Sequence, residues 1–303
     1  MHDLPLIDLA ALHHRDLAVR RALALQIGAA CREVGFFAIS GHGVPAVLIK
    51  QTFAASARFF AQPAAAKQAL AIATLGANRG YVGLGVEALD ETTPADRKEA
   101  FNLVWTDGIT RPPHVWPALP GFADVVQHYF DAVLEVGRGL HRAFALDLGL
   151  AESFFDERLD QPMATLRLLH YPQRADSATD APLGAGTHTD YGNVTLLATD
   201  GVAGLQVRRR DGTWIDVPPL PGAFVCNIGD CLMRWTNDVY RSTPHRVCAP
   251  ATERYSIAMF LDPNPDALVS AIESCVPAGE APRYAPIRAA DYLQQRFAAT
   301  YVR

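Results

Sequence analysis

The chain has 303 residues, 50% of them hydrophobic, and its 27 basic and 32 acidic side chains give a formal net charge of −5. This length and composition can bury a sizeable core, which excludes a chain that is mostly disordered. Because the arginines are scattered and no apolar stretch approaches the ~18 residues of a membrane span, we expect a small-molecule partner and neither nucleic acid nor membrane.

The first sixty residues predict an alternation of short strands and helices. Residues 4–8 have strand character, and Asp16 can cap a helix that Gly35 ends. The apolar residues of this helix recur at helical spacing, at Val19, Leu23, Ile27, Ala30 and Val34. A strand over residues 36–40 and a second helix that ends near Pro63 follow.

The middle of the chain predicts an irregular segment followed by a long helix. Residues 76–120 are rich in Gly, Pro and charged residues with weak periodicity, which is typical of a segment that covers a site. From Phe122 to Leu148, apolar residues mark one face of a long helix. We expect this helix to be a buried scaffold.

Beyond residue 160 the sequence consists of short runs rich in branched and aromatic residues, separated by Gly, Pro, Asp and Asn. Such runs at near-regular spacing predict an antiparallel sandwich or barrel. The predicted fold class is therefore α+β, a double-stranded β-helix (jelly roll) core buttressed by N-terminal helices. We expect an N-terminal region over 1–160, the jelly roll over 161–275 and a helical tail over 276–303, joined in one structural domain.

His188 and Asp190 are two residues apart, and in an extended segment such residues point to the same face. His245 lies at the start of a later strand that can pair with the first in a jelly roll. Two histidines and one carboxylate form a facial set, which is typical of oxygen-activating Fe(II). An isolated His-x-Asp is common and usually carries no metal, so the set depends on what accompanies it.

Arg254 and Ser256 follow the third candidate ligand and, by strand alternation, share one face. A guanidinium offers a planar fork to a carboxylate, and it is rarely buried without such a partner. The pair therefore indicates a carboxylate-bearing ligand deep in the barrel. Taken alone, a structural salt bridge explains the same arginine.

Together these residues resemble the isopenicillin-N-synthase-like branch of the Fe(II)/2-oxoglutarate oxygenases, in its bacterial form. The resemblance extends over nearly the whole chain, from the opening strand and the Gly41-His42-Gly43 turn to the C-terminal half. The specific motifs occur in the family's order: His188-Thr189-Asp190, Gly204-Leu205-Gln206-Val207, Asn227-Ile228-Gly229-Asp230, Arg241 through Val247 and Arg254-Tyr255-Ser256.

The resemblance implies His188, Asp190 and His245 as iron ligands and catalytic residues. It also implies that Arg254 and Ser256 hold the distal carboxylate of 2-oxoglutarate, with Tyr171 as a third contributor. Leu169 and His170 depart from the pattern of plant relatives on that strand. With O2 as the second co-substrate, the expected reaction hydroxylates an unactivated C–H bond and releases succinate and CO2.

For substrate contacts we nominate Tyr81 and Glu87 in the segment over residues 80–87, Arg167 on the strand of Tyr171, and Asn193 near the metal motif. Loop packing and a buried ion pair explain these residues equally well. The sequence does not name the substrate.

Three alternatives remain open at this point. An Fe(II) oxidase of the same fold can use an Arg-x-Ser pair to hold its substrate without 2-oxoglutarate. A jelly-roll sensor can keep the pocket without catalysis, and two histidines with a carboxylate can also hold zinc in a hydrolase. The chain has no H-E-x-x-H motif, which argues against the zinc hydrolase.

The N-terminus lacks the basic-then-apolar pattern of a signal peptide, so we expect a cytoplasmic protein. The chain has five cysteines and no C-x-x-C pair, which argues against a disulfide framework or a thiolate metal cluster. A monomer is the expected state, with a dimer as the alternative.

Overall fold

The computed structural model describes residues 4–76, 78–90, 94–109, 111–173 and 183–301. Helix α1 (Leu17–Glu33) illustrates how local sequence signals act in this fold. The Asp16 carboxylate accepts a hydrogen bond from the Ala18 amide at 2.8 Å and caps the first turn. At the other end Gly35 adopts a φ of 75° and donates its amide to the Ala30 carbonyl at 2.9 Å, which ends the helix as predicted.

The other helices in the described part of the chain vary in length from one turn to seven. The longest contains 26 residues and carries the apolar face expected for the scaffold helix. Their bounds are α2 (Ala46–Phe60), α3 (Ala64–Gln68), α4 (Ile72–Leu75), α5 (Phe122–Asp147), α6 (Asp230–Trp235) and α7 (Ala289–Tyr301). None of these described helices is long and apolar enough to cross a membrane.

The strands form two facing sheets and a small two-stranded one. The first seven strands are β1 (Leu6–Asp8), β2 (Phe36–Ser40), β3 (Gly80–Val82), β4 (Glu99–Val104), β5 (Thr165–Tyr171), β6 (Ala185–His188) and β7 (Val194–Thr199). The others are β8 (Leu205–Arg208), β9 (Trp214–Asp216), β10 (Phe224–Ile228), β11 (His245–Val247), β12 (Arg254–Leu261), β13 (Leu268–Val269) and β14 (Ile287–Arg288).

The larger sheet has the order β1-β2-β10-β7-β12-β5-β4-β3, and the smaller has the order β6-β11-β8-β9. One face of the larger sheet packs on α1, α2 and α5 in the main apolar core. Its other face shares a second apolar cluster with the smaller sheet. This is the predicted jelly roll with helices against one side, and the space between the sheets is where the candidate site lies.

Strand alternation assigns each residue of β5 and β12 to one of these faces. Ile257 and Met259 pack with the helices, whereas Ala258 belongs to the cluster between the sheets. From the sequence we expect Phe224, Ile228, Ile257 and Met259 to fill the barrel. That location is wrong, because all four belong to the helix-facing core.

The segment over residues 76–120 also differs from its prediction. It contains β3 and the six-residue β4, whose first five residues are buried. Strand β4 pairs along its whole length with β5. The sequence does not predict β4 because Gly, Pro and charged residues surround it. The strand itself also includes two polar residues, Glu99 and Asn102, which are buried in the structure.

Candidate active site

The two candidate histidines lie directly opposite each other on neighbouring strands. His245 on β11 is the antiparallel partner of His188 on β6, which confirms the predicted pairing of these segments. Their ring centroids are 4.3 Å apart. Asp190 follows two residues after β6, with its Oδ1 3.6 Å from His188 Nε2 and 3.8 Å from His245 Nε2. One ligand atom from each of the three side chains lies within 4.8 Å of the others.

Backbone carbonyls orient both imidazole rings. His188 Nδ1 is 2.8 Å from the Gly186 carbonyl, and His245 Nδ1 is 3.1 Å from the Thr243 carbonyl. Because a carbonyl oxygen can only accept, Nδ1 carries the proton in each ring and Nε2 keeps its lone pair. Both lone pairs are therefore available on the side of Asp190.

The two oxygens of Asp190 have different surroundings. Oδ2 accepts hydrogen bonds from Asn227 Nδ2 at 2.7 Å and from Thr195 Oγ1 at 2.5 Å, whereas Oδ1 faces the histidines. Burial alone would raise the pKa of Asp190, but the two histidines and these hydrogen bonds outweigh it and lower the pKa. A buried carboxylate beside two imidazoles whose Nε2 atoms face it is a donor set that fits a divalent iron ion.

Burial also changes the pKa of the His188 imidazole. It lowers the pKa of His188 to about 3, and the neighbouring His245 adds to this effect. The His188 ring is therefore neutral near pH 7, which is the state that a metal ligand requires.

Arg254 lies on the face of β12 that points between the sheets, and it is only 1% exposed. Its Nη1 is 3.4 Å from Ser256 Oγ, its Nε donates to the Val202 carbonyl, and its guanidinium lies 4.8 Å from the centre of the Tyr171 ring. Tyr171 is the residue directly opposite Arg254 on β5. Among the described residues no carboxylate pairs with Arg254, although a buried guanidinium normally has one.

A cavity of about 130 Å³ adjoins His188 and Asp190. Its wall combines charged, amide and apolar side chains, among them Asn78, Glu87, Leu89, Thr165, Arg167, Phe260, Asp262 and Leu293. Arg167 Nη2 contacts both oxygens of Glu87, at 2.8 and 2.9 Å, and Lys98 Nζ is 3.3 Å from the same carboxylate. Burial would raise the pKa of Glu87, but Arg167 and Lys98 lower it to about 2.

Two of the nominated substrate contacts lie outside this cavity. Tyr81 belongs to the helix-facing core, and its hydroxyl donates to Glu99 Oε2 at 2.6 Å. Asn193 is fully buried, with its Nδ2 3.1 Å from His141 Nε2 on α5. Both side chains point toward the helices, and neither lines this cavity.

Sequence reasoning missed the residues that support the site. Asn227 occurs in one of the motifs of the resemblance, but no role was derived for it or for Thr195, which holds the same oxygen of Asp190. Asp262 lines the cavity and was also missed. Its only signal in the sequence is a charged residue that directly follows an apolar strand.

Two family profiles match most of the chain. The 2OG-Fe(II) oxygenase superfamily matches residues 162–263. The non-haem dioxygenase in morphine synthesis N-terminal family matches residues 4–119.

Similar proteins carry the same description. The 2-oxoglutarate-Fe(II) type oxidoreductase hxnY of Emericella nidulans is 37% identical over 99% of this chain and 90% of its own. The homoarginine-6-hydroxylase 2-ODD-233 of Oryza sativa subsp. japonica is 33% identical over 90% of this chain and 88% of its own. The crystal structure of a full-length Neurospora crassa protein in complex with alpha-KG and thymine superposes with a TM-score of 0.91, at 33% identity over 98% of this chain and 97% of that one.

These relatives favour an enzyme that uses 2-oxoglutarate over the oxidase, sensor and zinc-hydrolase alternatives. They come from fungi and a plant, so they do not support the bacterial form of the family. The converging His-Asp-His set is the metal site that this chemistry requires. The chain therefore belongs to the 2OG-Fe(II) oxygenase superfamily and is an Fe(II)- and 2-oxoglutarate-dependent oxygenase.

Proposed function

We propose that His188, Asp190 and His245 hold the iron and that the enzyme hydroxylates a C–H bond of a compact small molecule in the adjoining cavity. The observation that carries the proposal is the convergence of two Nε2 lone pairs and one carboxylate oxygen beside a cavity that His188 and Asp190 line. Three ligands on one side of the ion leave its other positions for 2-oxoglutarate and O2. When bound, this iron and co-substrate supply the oxidation, with succinate and CO2 as co-products.

Arg254, Ser256 and Tyr171 form the second part of the proposal, as the clamp for the distal carboxylate of 2-oxoglutarate. The Arg254 guanidinium is buried without a carboxylate partner in the described part of the chain, and Ser256 adds a hydroxyl beside it. A carboxylate placed there would complete a charge-assisted fork. The Arg254 guanidinium lies over the Tyr171 ring, which restricts its orientation.

Arg167 and Glu87 belong to the proposal as the polar wall of the substrate pocket. Their ion pair, in which Arg167 Nη2 contacts both oxygens of Glu87, lies beside the cavity, on the opposite side of β5 from the main core. The cavity of about 130 Å³ is smaller than the roughly 300–1,000 Å³ of sites for drug-sized ligands. Thymine, the molecule bound in the similar Neurospora crassa structure, is therefore a reasonable first compound to test.

The proposal also includes three properties that rest on the sequence: a cytoplasmic location, a monomeric state and the bacterial form of the family. Gel filtration of the purified chain would test the second. A mass of about twice the 32.9 kDa of the chain would instead indicate the dimer.

The experiment that tests the proposed site is anaerobic. Purified protein is loaded with Fe(II), 2-oxoglutarate is added, and the visible charge-transfer band of the chelate is recorded. We expect the band in the wild type and, once O2 is admitted with a substrate, succinate release that matches oxygen consumption. Iron binding without the band would contradict the assigned co-substrate clamp, and failure to bind iron would contradict the assigned ligands.

A further inference from the structure

Asp262 lines the cavity but belongs to neither the proposed iron site nor the proposed 2-oxoglutarate site. It directly follows β12 and lines the cavity beside His188 and Asp190. Its Oδ1 accepts a hydrogen bond from the Asn193 amide at 3.1 Å. Within the described ranges, no basic side chain forms an ion pair with this carboxylate.

The backbone makes room for this side chain. At Gly192 an added Cβ would lie 1.4 Å from Asp262 Oδ1, so only a glycine allows the carboxylate to rest against the 190–193 turn. The contact fixes the direction of the carboxylate, with Oδ1 held by the Asn193 amide. No hydrogen bond from the described residues reaches the other oxygen, Oδ2, in the wall of the cavity.

Two acidic side chains in the cavity wall, Glu87 and Asp262, have opposite surroundings. Glu87 is neutralised by Arg167 and Lys98, which lower its pKa to about 2. Asp262 has no such partner, and burial raises its pKa to about 7. Asp262 is partly exposed, and a carboxyl group without a cation in a ligand cavity indicates a functional role.

We propose that Asp262 orients the substrate by accepting a hydrogen bond from one of its N–H groups, so that the substrate is a compact nitrogen compound, neutral or cationic. The inference rests on the proposed function, because it places the substrate in the cavity next to the iron ligands. An anionic substrate fits poorly, since Asp262 and Asp190 would repel it and Arg167 already contacts both oxygens of Glu87 through Nη2. The N–H donor also supplies the partner that Asp262 lacks.

The first arm of the test compares ring compounds with the wild-type enzyme. Thymine and piperidine carry N–H groups, 1,3-dimethylthymine and the quaternary N,N-dimethylpiperidinium ion do not, and benzoate carries a carboxylate. The readouts are the anaerobic perturbation of the Fe(II)–2-oxoglutarate band and the stimulation of succinate release. We expect at least one N–H compound to act at a concentration roughly tenfold or more below that of its methylated form, as the loss of a hydrogen bond to a charged group predicts.

The second arm uses Asp262→Asn, which can still accept from the Asn193 amide but presents a donor to the cavity. We expect this variant to form the same band and to have a similar Tm, while the preference for N–H over N-methyl falls to within about threefold through a rise in KM. Asp266→Asn, at an exposed acid nearby, is the matched control and should keep the preference. If Asp262→Asn does not fold, Asp262→Ser replaces it.

Three results would overturn the inference: stimulation by benzoate alone, no response to any N–H compound, or an undiminished N–H preference in the Asp262 variant. An undiminished preference in the variant would mean that the methyl groups weaken substrate binding only through their bulk. Each of these failures leaves the band intact. A missing band in the wild type would instead contradict the proposed iron and 2-oxoglutarate sites.

Discussion

At the scale of single residues, the candidate centre depends on how each side chain divides its atoms between two tasks. Asp190 directs Oδ1 to the histidines and gives Oδ2 to Asn227 and Thr195. His188 and His245 give Nδ1 to backbone carbonyls and keep Nε2 for the centre. In each of the three side chains, hydrogen bonds hold the atom that does not face the centre. The ligand atoms are therefore in position before any metal binds.

Removal of one ligand should therefore abolish the reaction without unfolding the protein. We expect His188→Ala and Asp190→Ala to have no measurable succinate release and a circular dichroism spectrum like that of the wild type, because His188 ends β6, Asp190 lies in the turn after it, and both are outside the apolar core. His128→Ala, at an exposed histidine on α5, is the control and should remain active. Near-normal turnover in either ligand variant would remove that residue from the set.

The second residue-scale prediction concerns co-substrate affinity. Arg254→Ala should weaken 2-oxoglutarate binding by about 2–5 kcal/mol, the usual cost when one partner of a buried charge pair is removed. A titration of the anaerobic charge-transfer band measures this directly. Arg283→Ala removes a surface arginine whose side chain is 64% exposed, and it should have no effect. An unchanged affinity in the Arg254 variant would assign this arginine to structure.

At the scale of elements, the alternation of β5 separates two polar groups that are adjacent in sequence. Tyr171 faces the space between the sheets, beneath Arg254, whereas His170 faces the helices and lies 2.7 Å from Glu99. Glu99 also binds Lys67 and the Tyr81 hydroxyl. The helix-facing side of the sheet thus has its own polar cluster, which explains why Tyr81 does not reach the cavity.

The contact between α1 and α5 depends on a glycine. A Cβ at Gly28 would lie 2.0 Å from Asp147 Cγ, and Asp147 is the buried partner of Arg32 and Tyr240. We expect Gly28→Ala to lower the stability by about 1–3 kcal/mol, because overpacking outweighs the gain in helix propensity. Thermal unfolding measures the change. In Gly139→Ala the new Cβ meets only the end of Leu12, so a Tm as low as that of Gly28→Ala would contradict this reason.

Helix α5 also contains a titratable group in its buried face. Burial lowers the pKa of His141 from 6.5 to about 4. The unfolded chain therefore takes up a proton near pH 6.5 and the folded protein does not until about pH 4, so stability should fall as the pH decreases through this window. Between these two pH values the free energy of unfolding should change by on the order of 1.4 kcal/mol per pH unit.

His141→Gln keeps a side chain that can bind Asn193 but removes the titration. We expect its stability curve to be flatter than that of the wild type between pH 6.5 and 4, as measured by urea unfolding at each pH. Above pH 7 the two curves should run parallel. Equal slopes in the lower window would show that other groups cause the acid sensitivity.

At the scale of the whole molecule, the larger sheet joins segments that are distant in sequence. Two strands from the first 104 residues pair with strands of the C-terminal half, β2 with β10 and β4 with β5. Helix α7 returns from the C-terminus to place Leu293 in the cavity wall. The predicted boundaries at residues 160 and 275 thus divide the chain into three regions. That these regions form one structural domain remains our proposal.

This proposal predicts a single unfolding transition. Near-UV and far-UV circular dichroism should give coincident thermal curves, because the shared sheet couples both halves. A fragment of residues 161–303 should not fold alone, since β5 and β10 would lose their partners and expose unpaired edges. Two separate transitions, or a folded fragment, would divide the chain into independent domains.

The sequence by itself determined the elements with strong local signals. The cap and apolar spacing of α1 predicted its ends, and the short branched runs predicted that the C-terminal half consists of short strands. The pattern His188-x-Asp190 with His245 identified three side chains whose ligand atoms converge, and Arg254-x-Ser256 identified two side chains on one face of a strand, because strand alternation decides which neighbours share a face.

Only the tertiary structure decided the rest. Strand β4 carries buried Glu99 and Asn102, whose favourable partners are distant in sequence, so local patterns pointed to a loop. The face of Tyr81 and Asn193, the hydrogen bonds of Asn227 to Asp190, and the place of Asp262 in the cavity all depend on pairing between remote segments. Burial, charge pairing and hydrogen bonding are properties of such pairings, and a single sequence carries no direct record of them.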